Sequence, residues 1–191
     1  MKTNEREKYG ITIKNILEIS KIVSFKMHRI KELLFDEYDI KFSNKNLSEI
    51  VGKIFEKETA DYLTKVTNYQ VVNAKSDSDP DLCFMERGVI IKNIEIKVTS
   101  TLTAWTGGEF SKRPFDYLLI SWGANFDEYF IACTHLEKDE WDSNIDKGYY
   151  GPSFKISKLK EKKDKIIILG NINQSGTRLI RENIYQAKLN L

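Results

Sequence analysis

Asp81, directly after Pro80, is followed fourteen residues later by Glu95-Ile96-Lys97, inside an apolar run rich in β-branched residues. Two carboxylates and an ammonium at this spacing are the functional groups of a metal-dependent site that cuts phosphodiester bonds. Mg²⁺ prefers hard oxygen ligands and keeps several waters. Asp81, Glu95 and the Ile96 backbone carbonyl would therefore leave positions for water and a phosphate oxygen. Lys97 beside them could orient or help deprotonate an attacking water and offset the charge of the transition state.

The local sequence supplies a way to bring these groups together. Pro80 to Met85 alternates as a short half-buried strand, Glu86-Arg87-Gly88 is turn chemistry, and Val89 to Ser100 is a second strand, which together make a hairpin. A turn centred near Gly88 puts Asp81 and Glu95 at mirror positions on adjacent strands, with Cβ atoms within about 5 Å. Alternation places Glu95, Lys97 and Thr99 on one face and Ile94, Ile96 and Val98 on the other, so one face does chemistry and the other packs. A Glu-x-Lys triplet alone is weak in a chain that is 30% charged, and Glu161-Lys162-Lys163 repeats it in a polar stretch. That copy lacks the apolar strand and the upstream carboxylate, whereas Pro80 is the only one of 3 prolines followed by Asp. The competing reading is a surface hairpin with solvated Glu95 and Lys97 and a turn aspartate at position 81.

At these residues the chain resembles the PD-(D/E)XK nuclease superfamily, most closely its small type II restriction endonucleases, over roughly residues 46 to 136. The resemblance implies that Asp81 and Glu95 bind Mg²⁺ and that Lys97 assists catalysis. It also implies an α/β (α+β) fold with a restriction-endonuclease-like core, a central mixed sheet flanked by helices. That core runs helix, mostly antiparallel meander, second helix and further strand. The implied partners are double-stranded DNA and a second copy of the chain, a homodimer whose two-fold axis matches a palindromic site.

Apolar residues from Ile13 to Leu34 recur at near-helical spacing over residues 12 to 38, as one long or two short amphipathic helices serving the core or a dimer face. A second helix opens at Asn46 or Ser48 and runs to about Val66. It carries Glu56 and Glu58, either of which could point inward or be a solvated carboxylate paired with a neighbouring lysine; the resemblance favours Glu56 at the metal site. Tyr69 to Ala74 is the strand before the hairpin, and Ser76-Asp77-Ser78-Asp79 a turn. Residues 101 to 114 form a loop with Gly107-Gly108, where Lys112 and Arg113 could neutralise phosphates and Ser111 and Thr106 donate to them; the competing reading is an ordinary crossover with an aromatic plug. The family places a helix near the DNA at this point. Asp116 to Trp122 and Glu128 to Leu136 resume strand character. Between residues 142 and 165, Lys155, Lys158, Lys160, Lys162, Lys163 and Lys165 form either a solvated face or a backbone-tracking one, with Tyr149, Tyr150 and Asn144 near bases.

Composition fits this assignment. The chain has 191 residues, 41% hydrophobic and 12% aromatic, enough for one folded domain. That domain divides into an N-terminal helical segment 1–45, a catalytic core 46–136 and a C-terminal segment 137–191 suited to DNA recognition. No stretch approaches a membrane span and the charged start lacks an apolar signal core, so a soluble, cytoplasmic protein is expected. Cys83 and Cys133 give neither a disulfide framework nor zinc spacing, and His28 and His135 have no cysteine partners. A net charge of +2 decides little, because an acidic site offsets a basic groove. The expected activity is that of a type II site-specific deoxyribonuclease from a restriction-modification system. A repair or junction-resolving nuclease on the same core, and a non-catalytic DNA-binding module, are the alternatives.

Overall fold

The computed structural model describes residues 9–73, 76, 78–101, 103–142, 151–162, 166–173 and 176–178. Helix α1 (Ile13–Lys31) starts where the Thr12 side chain accepts the Asn15 amide hydrogen, and buries Ile16, Ile19, Val23 and Met27 at helical spacing. A wider π-type segment, Glu32–Glu37, extends it. Helix α2 (Asn44–Val66) is capped by Ser43, whose hydroxyl accepts from the Asn46 amide at 3.2 Å. The start expected at Asn46 or Ser48 thus lies earlier, because Ser43 supplies the cap oxygen and the polar 44–46 stretch forms the first turn.

The strands are β1 (Gln70–Asn73), β2 (Leu82–Glu86), β3 (Val89–Thr99), β4 (Ala104–Thr106), β5 (Phe115–Trp122), β6 (Glu128–Leu136), β7 (Ser153–Lys155), β8 (Ile166–Asn173) and β9 (Gly176–Arg178). The main sheet has the order β1-β2-β3-β5-β6-β8-β9, and β4 pairs with β7 in a separate two-stranded sheet. Only β3 and β5 run parallel among these pairs; the rest are antiparallel. The mixed α/β character agrees with the expected fold class.

A parallel pair needs a crossover, and residues 100–114 supply it with β4 and one 3₁₀ turn, Glu109–Lys112. The second helix implied by the resemblance is therefore replaced by a short strand and a single turn. Gly107 and Gly108 lie in the way of a continuous helix, and the Gly107 amide donates to the Pro152 carbonyl at 2.7 Å, tying the crossover to the segment before β7.

Both faces of the sheet are covered. Ile94, Ile96, Leu118, Ile120, Tyr129 and Ile131 pack under α1 and α2 in one apolar cluster. Tyr117, Leu119, Phe130 and Ala132 form a second with Trp105, Phe110, Trp141 and Phe154. Tyr117 and Leu119 are the β5 partners of Glu95 and Lys97. The face expected to be purely chemical is thus packed as well, by aromatic residues brought from β4, β7 and the crossover.

Candidate active site

The hairpin turns at Arg87-Gly88, both with positive φ (51° and 80°), the two-residue turn whose twist suits antiparallel strands. From this turn a regular ladder would set Asp81 opposite Ile94. Instead the register shifts between Phe84 and Met85: Met85 pairs with Ile90 but Phe84 with Lys92, leaving Ile91 as the extra residue. Leu82 consequently faces Ile94, and the next position out brings Asp81 to Glu95. The bulge converts a turn centred between two residues into the alignment the site requires.

β2 begins only at Leu82, so beyond Ile94 the paired side of β3 is the one facing β5. Asp81 takes over at that frayed edge. Its Oδ2 accepts the Ile96 amide hydrogen at 2.7 Å, where a strand carbonyl would otherwise sit. Its own amide donates a longer bond, 3.4 Å, to Glu95 Oε2. Lys97 Nζ donates to Glu95 Oε1 at 2.5 Å. Asp81, Glu95 and Lys97 are therefore gathered by the hairpin as the spacing anticipates.

Helix α2 closes the other wall. Gly52 lies so close to β3 that a Cβ there would sit 3.3 Å from Val98 Cγ2, and Trp122 Nε1 donates to Ser48 Oγ at 2.9 Å. These contacts seat the first half of α2 on the sheet. The resulting cavity, about 690 Å³, is lined by Glu56, Asp81, Ile96, Lys97, Thr99 and Thr106 among others. Glu56 is the inward carboxylate of the two expected candidates. Glu58 is also buried, but it accepts from Lys26 Nζ at 2.5 Å and joins the two helices.

Burial pushes the Glu56 carboxyl up to about 7; the negative charge of Asp81 adds to the rise and Lys53 opposes it. Burial likewise raises Glu95, with Lys97 opposing and Asp81 adding. Two carboxyls raised by burial and by the charge of Asp81 mark a place where positive charge is favourable. Among the described residues no three His, Cys, Asp or Glu side chains are grouped so as to hold a metal by themselves. Glu56 thus neighbours the Asp81–Glu95 pair without completing a three-carboxylate cage. Two carboxylates with the Ile96 carbonyl and water is nevertheless a donor set that suits Mg²⁺, which uses few protein ligands.

The loop residues expected to touch DNA differ in exposure. Ser111 is buried and its hydroxyl donates to the Gly108 carbonyl at 2.6 Å, so it holds the 3₁₀ turn together instead of facing a phosphate. Lys112 is exposed and pairs with Glu109 at 2.6 Å. Arg113 stacks over Phe110 and Phe115, 5.1 and 5.6 Å from the ring centroids. None of the three lines the cavity, whereas Thr106 does. Of the later lysines, Lys155 and Lys158 pair with Asp142 and Lys162 with Glu140. The repeated triplet at Glu161 thus ends a 3₁₀ turn on the surface, with Lys162 spent on a salt bridge. Asn144, Tyr149, Tyr150, Lys163 and Lys165 lie outside the described residues.

His28 and His135 each meet an aspartate, Asp127 at 2.7 Å and Asp116 at 2.9 Å, away from this cavity. Cys83 is half-buried and Cys133 buried. No helix of the described residues is long and apolar enough to cross a membrane. No family model, curated protein or solved structure matches the chain.

Two contributors have no site role assigned from the sequence. Lys53 binds both oxygens of Glu56, at 2.8 and 2.7 Å, a pairing its i,i+3 spacing allows. Gly52 sets the helix-to-strand approach, for which a glycine next to an inward glutamate is a faint signal at best.

Proposed function

We propose that this chain is a Mg²⁺-dependent endonuclease of the PD-(D/E)XK type that hydrolyses phosphodiester bonds of double-stranded DNA at a short, specific, palindromic site. The reading rests on one observation above all: Asp81, Glu95 and Lys97 converge at the frayed edge of β3, with Glu56 across the cavity. A solvated hairpin would not bury Glu95 next to another carboxylate.

Asp81, Glu95 and the Ile96 carbonyl would hold the cation, which when bound supplies charge neutralisation at the phosphate and a more acidic water. The Ile96 amide fixes the Asp81 carboxylate in one rotamer, so its ligand geometry is set before substrate arrives. Lys97 stands on Glu95 and lines the same cavity, in reach of a group bound there. Its ammonium can shift from carboxylate to phosphate, offsetting charge that develops as water attacks. Thr99 and Thr106 add hydroxyl donors along the wall. Cutting both strands of a palindrome calls for two such sites, hence a homodimer.

Incubating the protein with a sequenced plasmid, with Mg²⁺ or with EDTA, and mapping the ends tests the reading. Discrete Mg²⁺-dependent fragments with common end sequences support it. Cutting confined to branched or damaged DNA selects a repair or junction-resolving enzyme, and binding without cutting a non-catalytic module.

A further inference from the structure

Lys53 is set apart from the other short-range ion pairs of this chain. In Lys21–Glu18, Arg29–Glu32, Lys57–Asp61 and Lys112–Glu109, both partners are well exposed. Such pairs contribute little beyond a solvated helix face. Lys53 instead joins a side chain that is 69% exposed to a Glu56 side chain that is only 8% exposed. Its carboxylate partner faces Asp81 across the cavity, and Lys53 lines that cavity with Lys45 and Lys97. A solvent-facing ammonium is therefore anchored at the mouth of an acidic site by a buried acid.

We propose that Lys53 is a second phosphate-binding cation of this site, delivered by α2 opposite Lys97 on β3. This rests on the nuclease reading above. A site that gathers carboxylates must still admit a polyanion, and the charge to attract it has to come from residues at the rim. Glu56 holds the ammonium through two bonds, on a side chain that is 69% exposed and lines the cavity. Glu56 thereby acts as a positioning residue for Lys53. Lys97, 20% exposed as a side chain, serves the floor of the cavity, and Lys53 the approach.

The test is fluorescence anisotropy of a labelled duplex in EDTA, titrated across a salt series, for wild type, Lys53→Gln, Lys53→Arg and Lys57→Gln. Removing one cation that neutralises a phosphate makes the slope of log K against log salt shallower by about 0.9. Lys53→Gln is expected to show that change, Lys53→Arg to restore the wild-type slope, and Lys57→Gln, on the same helix but off the cavity, to match wild type. Circular dichroism checks that the variants are folded, as exposed positions allow. A wild-type slope for Lys53→Gln, or an equal change for Lys57→Gln, overturns the role of Lys53 while leaving the nuclease reading in place. A wild type that binds no duplex either in EDTA or with Ca²⁺ in place of Mg²⁺ overturns both.

Discussion

The Asp81 carboxylate accepts the Ile96 amide hydrogen at 2.7 Å, so a side chain substitutes for a strand at the edge of the sheet. The same oxygen pair is thus asked to finish a β-ladder and to hold charge. These two duties separate by mutation. Asp81→Asn keeps an acceptor for Ile96 and should cost under about 1 kcal/mol, whereas Asp81→Ala orphans that amide and should cost about 1–3 kcal/mol. Both should abolish cleavage. Urea unfolding beside a cleavage assay reads the two effects, and an active Asp81→Asn enzyme would remove Asp81 from the site.

Lys97 should matter to rate more than to affinity. Lys97→Ala is expected to slow single-turnover cleavage by at least about 100-fold while DNA binding stays measurable. A loss of tenfold or less would give Lys97 the structural task of neutralising Glu95.

Glu56 predicts a pH signature in the metal-free protein. Its folded-state value of about 7 lies above the ordinary 4.5, so the protonated form is the one the fold favours. Its stabilising contribution is complete below about 4.5 and is lost as pH rises through about 7. Glu95 is displaced in the same direction and adds to the trend. Melting temperatures measured from about pH 5 to about pH 8 should fall more for wild type than for Glu56→Gln. Parallel curves would show that Glu56 is ionised throughout.

The turn that sets the hairpin register can be probed alone. Gly88 has φ 80° and open space around a would-be Cβ, so Gly88→Ala should cost about 1–2 kcal/mol from backbone strain only. Arg87, at φ 51°, should gain slightly from Arg87→Asn. Chemical denaturation checks both signs.

Much of this was readable locally. Alternation from Leu82 to Met85 and helical spacing from Leu47 to Leu63 report burial of one face, which short-range periodicity encodes, whereas in β3 Ile94, Glu95 and Ile96 are buried in succession because both faces are covered. The bulge at Phe84/Met85 was not readable: it depends on how Ile91 escapes the ladder, yet it decides what Asp81 faces. Nor was the cover over Tyr117 and Leu119, since Trp105 and Phe154 meet them only through β4 and β7, far apart in sequence. Ser111 looked like a phosphate donor because residue type alone does not disclose that its hydroxyl donates to the Gly108 carbonyl. Glu56 and Glu58 could not be separated by a helical wheel because both are buried, against different partners.

The most direct test of the central claim compares wild type with Glu95→Gln on plasmid DNA in Mg²⁺, with duplex binding followed in parallel. Mg²⁺-dependent cutting by wild type, and none by Glu95→Gln despite retained binding, is the predicted result. Equal cutting by the two proteins, or none by wild type in Mg²⁺, would contradict it.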